Sequence, residues 1–96
     1  MNTLTLHIPP DHPSFAGHFP GMPITPGVVL LDLALHAIAA QLQLDLQHCQ
    51  IRNLKFLNPV LPDTHLILHY EMNASGTVQF DIMDQQRVAA TGVFHA

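Results

Sequence analysis

The chain contains no tryptophan, a single cysteine and only three permanent cations in 96 residues. A lone Cys49 excludes an internal disulfide and fits a reducing compartment. Arg52, Lys55 and Arg87, set against a formal net charge of −4, form no basic stripe, which excludes the phosphate-neutralising surface of a nucleic-acid binder. The same poverty argues against docking on an anionic membrane. Long hydrophobic runs are missing too, because Asp32, His36 and Gln41 interrupt the longest one well short of a membrane span. The opening, MNTLTLHIPPDHP, lacks the basic and apolar regions of a secretory signal, so the expectation is a cytoplasmic protein.

What remains is apolar: 48% of residues are hydrophobic and only 10% are charged. The expectation is one small domain over residues 1–96. Chains of this size bury roughly 60–65% of their unfolded surface, so a partner that hides one apolar face would add needed burial.

Thr3 to Ile8 alternates polar and apolar and stops at Pro9-Pro10, which predicts a short strand. The proline- and glycine-rich segment DHPSFAGHFPGMPITPG predicts a rigid loop, since each proline fixes φ and extends its predecessor. Thr25 reads as a helix N-cap with Pro26 at the first helical position, opening a helix from Pro26 to about Leu44. That helix is apolar on nearly every side, which predicts that something wraps it. Four further strands follow, Gln50–Leu57, Thr64–Met72, Thr77–Met83 and Val88–His95, separated by turn signals. Their spacing predicts an antiparallel meander, and with the single helix an α+β fold.

The segment GHFPGMPITPGVVLLD, Gly17 to Asp32, resembles the active-site segment of the bacterial β-hydroxyacyl-acyl-carrier-protein dehydratases. Their pattern is Gly-His-Phe-Pro-Gly-x-Pro-x-x-Pro-Gly followed by a helix carrying Glu or Asp. Asp32 follows His18 by 14 positions, the family spacing. A second stretch, LKFLNPVLPDTHLILHYE, is similar to the strand, loop and strand after the helix in these enzymes, with Pro62-Asp63 where they have Pro-Gly-Asp. The family commonly has Glu at the place of Asp32, and Asp is found in the branch that also isomerises the new double bond. At the place of His36 it usually has Gln.

The resemblance implies the hot-dog fold, an antiparallel sheet around one central helix. It also implies dehydration of a 3-hydroxyacyl thioester on an acyl carrier protein, with no metal and no other cofactor. Fatty acid synthesis and aryl polyene or polyketide-type assembly are both open. The implied assembly is a homodimer, or a heterodimer with a homologous hot-dog subunit, in which His18 of one subunit meets the acid of the other.

The residues suit those roles chemically. An imidazole with its ordinary pKa of roughly 6.5 is largely neutral at cytoplasmic pH and can take the C2 proton, which fits His18. A lone histidine is more often a packed structural residue, but within this motif the base role is favoured. Phe19, Pro20 and Gly21 would hold the ring. Asp32, among Leu30, Leu31, Leu33 and Leu35, is expected to lose hydration, which favours its protonated form and an acid role. The N–H of Gly27, at a helix start where it has no intrahelical partner, is a candidate oxyanion site, with Val28 and His36 as further substrate contacts. His36 is one turn from Asp32 and shares its face, as a hydrogen-bond partner or only as pocket lining. Met22, Val28, Val29, Leu33 and Phe56 are candidates for an acyl tunnel, though such residues are as readily ordinary core. Eight histidines raise a metal site, but His65 and His69 on one strand stand roughly 13 Å apart, too far to share an ion. Two alternatives stay open: a non-catalytic or partner-dependent acyl-binding subunit, and a thioesterase.

Overall fold

Period-two alternation becomes strand at each place where the sequence shows it, and in every strand but the edge strand Gln50–Phe56 the apolar half turns to one side. The computed structural model describes residues 2–8, 25–61 and 63–96. The elements are β1 (Asn2–His7), α1 (Gly27–Leu42), a 3-10 turn (Leu46–His48), β2 (Gln50–Phe56), β3 (His65–Met72), β4 (Thr77–Asp84) and β5 (Arg87–His95). Leu66, Leu68 and Tyr70 of β3, Val78, Phe80 and Ile82 of β4, and Phe94 of β5 are buried, while His65, Ile67 and Gln79 face out. Leu30, Ala34 and Ile38 of α1, spaced four apart, complete this core from the helix side.

All strand pairs are antiparallel, and the order across the sheet is β1-β3-β4-β5-β2. One helix packed on a five-stranded antiparallel sheet is the α+β hot-dog arrangement that the motif resemblance implies. The continuous meander is corrected, however. Only β3, β4 and β5 form one; β2 crosses to the far edge and pairs with β5. The reason is the segment after β2, where the Leu57 and Asn58 N–H groups both donate to Ala89 O, at 2.9 and 3.2 Å. The Asn58 Nδ2 also donates to Val88 O at 2.8 Å. These bonds hold the segment against β5, so no hairpin to β3 forms.

The helix start is shifted as well. Pro26, at φ −57° and ψ 142°, is the N-cap residue, Gly27 is the first helical residue, and among the described residues no side chain caps the turn. Thr25 cannot cap it: its N–H donates to Val60 O at 2.7 Å, and its hydroxyl is buried without a partner among the described residues. At the other end Gln43 takes a left-handed conformation, φ 56°, and closes the helix at Leu42, two residues before the expected Leu44.

Neither is the helix wrapped on all sides within one chain. The sheet covers Leu30, Ala34 and Ile38, while Val28, Asp32, His36 and Ala40, also four apart, form an exposed stripe. The stripe follows from geometry, because a sheet can bury only one face of a helix.

Candidate active site at the start of the helix

His18, Phe19, Pro20, Gly21 and Met22 lie outside the described residues. The described part of the site is built by α1 and the segment that follows β2. Pro26 has no N–H, and its carbonyl accepts from Val29 and Leu30 at 3.0 and 3.1 Å. The N–H groups of Gly27 and Val28 therefore fall in the first turn, where the helix supplies no acceptor and its dipole adds partial positive charge. A carbonyl oxygen acquiring negative charge is the kind of group such a pair accommodates.

A cavity of about 340 Å³ opens beside this turn, lined by Thr25, Gly27, Leu30, Phe56, Asn58 and Val60 among others. Phe56 lies directly over the glycine: a Cβ added to Gly27 would stand 2.9 Å from the ring Cζ. Only glycine permits that approach. Of the five tunnel candidates, Phe56 lines this cavity while remaining half exposed. Val29 is buried, Leu33 is half-buried and Val28 is 72% exposed. Asn58 and Val60 lie some thirty residues from Gly27 in sequence. The stretch LKFLNPV was the one signal that could have pointed to them.

Five residues along α1 from Gly27, about 7.5 Å by helical rise, stands Asp32. Its side chain is 65% exposed, so the desolvation expected for its carboxyl is not supplied within one chain. The neighbouring leucines do not cover it, because Leu30 faces the sheet, Leu31, Leu33 and Leu35 are half-buried on the flanks of the helix, and Asp32 sits on the outward stripe. His36 is equally open, with its Nδ1 2.8 Å from the Asp32 backbone oxygen and 3.2 Å from Asp32 Oδ1. The fold thus brings Val28, Asp32 and His36 onto one stripe, with Gly27 at its origin.

Elsewhere, His7 and His65 stack with ring centroids 4.4 Å apart, and His7 Nε2 lies 2.7 Å from Asp63 Oδ1. Among the described residues no three His, Cys, Asp or Glu side chains are placed to hold a metal ion. Among them, too, no helix is long and apolar enough to cross a membrane.

Residues 1–93 match the family described as ApeI-like, ApeI dehydratase. The chain belongs to the ApeI-like dehydratase family. Within the wider group, the 3-hydroxyacyl-[acyl-carrier-protein] dehydratase FabZ of Aliivibrio fischeri is 37% identical over 70 residues, covering 64% of this chain and 47% of that protein. The chain spans about half the length of the curated relatives it matches. In three dimensions this ApeI-like chain is similar to the dehydratase heterocomplex ApeI:P from Xenorhabdus doucetiae, with a TM-score of 0.74 and 28% identity over 97% of this chain and 83% of that one. A gentisyl-coenzyme A thioesterase shares the fold alone, with a TM-score of 0.59 and 13% identity over 99% of this chain and 86% of that one.

Proposed function

We propose that this ApeI-like chain removes water from a 3-hydroxyacyl thioester carried on an acyl carrier protein, leaving the trans-2-enoyl thioester. His18 takes the proton from C2, the Gly27 and Val28 N–H groups bind the thioester oxygen as it gains charge, and Asp32 protonates the departing 3-hydroxyl. No redox step occurs, so the residues named are sufficient for the chemistry. The product is an intermediate in fatty acid or polyene-type chain building.

One observation carries the reading. The helix that opens with two N–H groups lacking a partner within the helix also bears the carboxyl, and it begins at Gly27, the glycine that closes the Gly-His-Phe-Pro-Gly-x-Pro-x-x-Pro-Gly pattern. An anion-binding turn and an acid on one rigid element match what dehydration needs at the thioester carbonyl and at C3.

The exposure of Asp32 favours a partner-dependent form of the same reading. Val28, Ile51, Phe56, Leu57 and Leu61 are exposed apolar residues, and among the described residues β2 lies at an edge of the sheet. A second hot-dog subunit, either another copy or a homologue, would cover this face and take water from the carboxyl.

The test incubates the purified chain, alone and mixed with a homologous hot-dog subunit, with a 3-hydroxyacyl carrier protein. Mass spectrometry follows loss of one water. Turnover that disappears in His18→Ala and Asp32→Asn, with assembly unchanged, supports the proposal. Turnover only in the mixture assigns the partner-dependent form. Release of free carrier thiol identifies a thioesterase, and no turnover in either arm leaves an acyl-binding subunit.

A further inference from the structure

Thr25 carries a buried hydroxyl that the fold does not use. Among the described residues it is the only buried polar one, at 5% exposure. Its Oγ1 is closed to water, and among those residues no group hydrogen-bonds it. Sealing a hydroxyl from water without a partner costs folding free energy that a valine of the same shape would not. The backbone explains the placement but not the group. The Thr25 N–H donates to Val60 O at 2.7 Å, which ties the residue to the segment after β2 and leaves its side chain with no capping bond to α1.

The surroundings point to what the hydroxyl meets. Thr25 stands two residues before Gly27, and both line the cavity of about 340 Å³ beside the first turn of α1. The Gly27 and Val28 N–H groups lack intrahelical acceptors there. Asn58, the other polar side chain of the lining, directs its Nδ2 to Val88 O at 2.8 Å. Threonine bears a hydroxyl and a methyl on one carbon, and a turn of about 120° about χ1 exchanges them. The hydroxyl therefore reaches the cavity without disturbing the backbone that Val60 holds. In a site that excludes water, such a donor binds an oxygen gaining negative charge more strongly than the same oxygen uncharged.

We propose that the Thr25 hydroxyl is a catalytic group for the thioester carbonyl, donating a hydrogen bond to its oxygen beside the Gly27 N–H. This rests on the dehydratase reading above. The C2 proton passes to His18, and its electron pair spreads onto the thioester oxygen. That pair then forms the C2–C3 double bond while the C3–O bond breaks with its own pair on oxygen, and the Asp32 proton completes the water. Thr25 gives and takes no proton. Its hydrogen bond strengthens as charge builds, which lowers the barrier rather than merely binding substrate.

Two variants test the proposal: Thr25→Val removes the hydroxyl and keeps the shape, while Thr25→Ser keeps the hydroxyl. In steady-state dehydration of a 3-hydroxyacyl carrier protein, with the partner subunit if turnover requires it, Val should lower kcat about 100-fold with KM within about twofold. Ser should retain most of kcat. Thermal unfolding separates this role from a structural one, because losing an unpartnered hydroxyl should leave the midpoint of Thr25→Val equal to wild type or above it. Infrared spectroscopy reads the contact itself, with S-butanoyl pantetheine carrying carbon-13 at the carbonyl as an unreactive probe. Its carbonyl stretch should lie lower when bound to wild type or Ser than when bound to Val. A Val variant that unfolds or melts earlier would mean the hydroxyl has a structural partner, and would overturn the proposal. So would an unaltered kcat in Val, equal losses in Val and Ser, or one carbonyl frequency in all three proteins. A wild-type chain inert with and without a partner, yet showing the frequency difference, defeats the dehydratase reading and leaves the carbonyl contact standing. A chain that neither turns over nor binds the probe overturns both.

Discussion

Two glycines sit against aromatic rings at almost the same distance, and the structure predicts opposite outcomes when each becomes alanine. At Gly92 a new Cβ would lie 2.7 Å from Phe80 Cζ, 3.0 Å from Cε1 and 3.3 Å from Leu54 Cδ1. Phe80 is 1% exposed and packs at a tilt against Phe94, with ring centroids 6.1 Å apart, so its ring has nowhere to go. Overpacking a filled core costs about 1–3 kcal/mol. Alanine recovers about 0.5–1 kcal/mol of the backbone entropy that glycine loses in a strand. The net effect of Gly92→Ala is a destabilisation centred on about 1 kcal/mol and reaching at most about 2.5 kcal/mol. Urea unfolding at fixed protein concentration should show a lower midpoint with an unchanged slope, and the thermal midpoint should fall by about 5–15 °C. Gly27→Ala is the control. There the Cβ meets the tip of Phe56, a half-exposed ring that can swing into solvent, so stability should change by less than about 1 kcal/mol. A Gly92→Ala protein as stable as wild type, or a larger loss in Gly27→Ala, would refute the claim that ring freedom decides the outcome.

Other substitutions probe the site and its surroundings. Asn58→Ala removes the Nδ2 donor to Val88 O and should cost about 1 kcal/mol in urea unfolding, because that part-buried carbonyl loses its side-chain partner. Val28→Lys places a charge on the exposed stripe. The protomer's circular dichroism should be unchanged, while light scattering should show a shift towards monomer if a second subunit covers that stripe. An assembly that keeps its mass would show that the interface lies elsewhere. Disrupting the exposed His7–Asp63 pair with Asp63→Asn should alter stability by less than about 1 kcal/mol, and a larger loss would mean the pair is better shielded than its exposure indicates.

The elements were legible because their signals are local. Alternation such as THLILHYEM and TVQFDIM states which residues point inward, whatever the strand pairs with, and the strand ends fall within one or two residues of the expected places. The order of motif, glycine and acid was equally legible, since Pro26, Gly27 and Asp32 are close in the chain and a helix of known pitch fixes their relation. The capping of α1 was less so. Thr25 has the chemistry of a cap, but a backbone bond to Val60, far along the sequence, sets its orientation.

Local sequence was thus enough to say where helix and strands form and that a carboxyl rides about one turn and a half beyond the Gly27 N–H, which has no intrahelical partner. Pitch and alternation are properties of short segments, and no distant contact is needed to enforce them. Only the tertiary structure decided that β2 lies beside β5, that Phe56 rests on Gly27, and that Asp32 and His36 face away from the sheet. Each of these depends on which distant segment occupies the space around the helix. An apolar residue carries no record of the face on which its neighbour will arrive, so the chain had to fold before the exposed stripe could be told from the buried one.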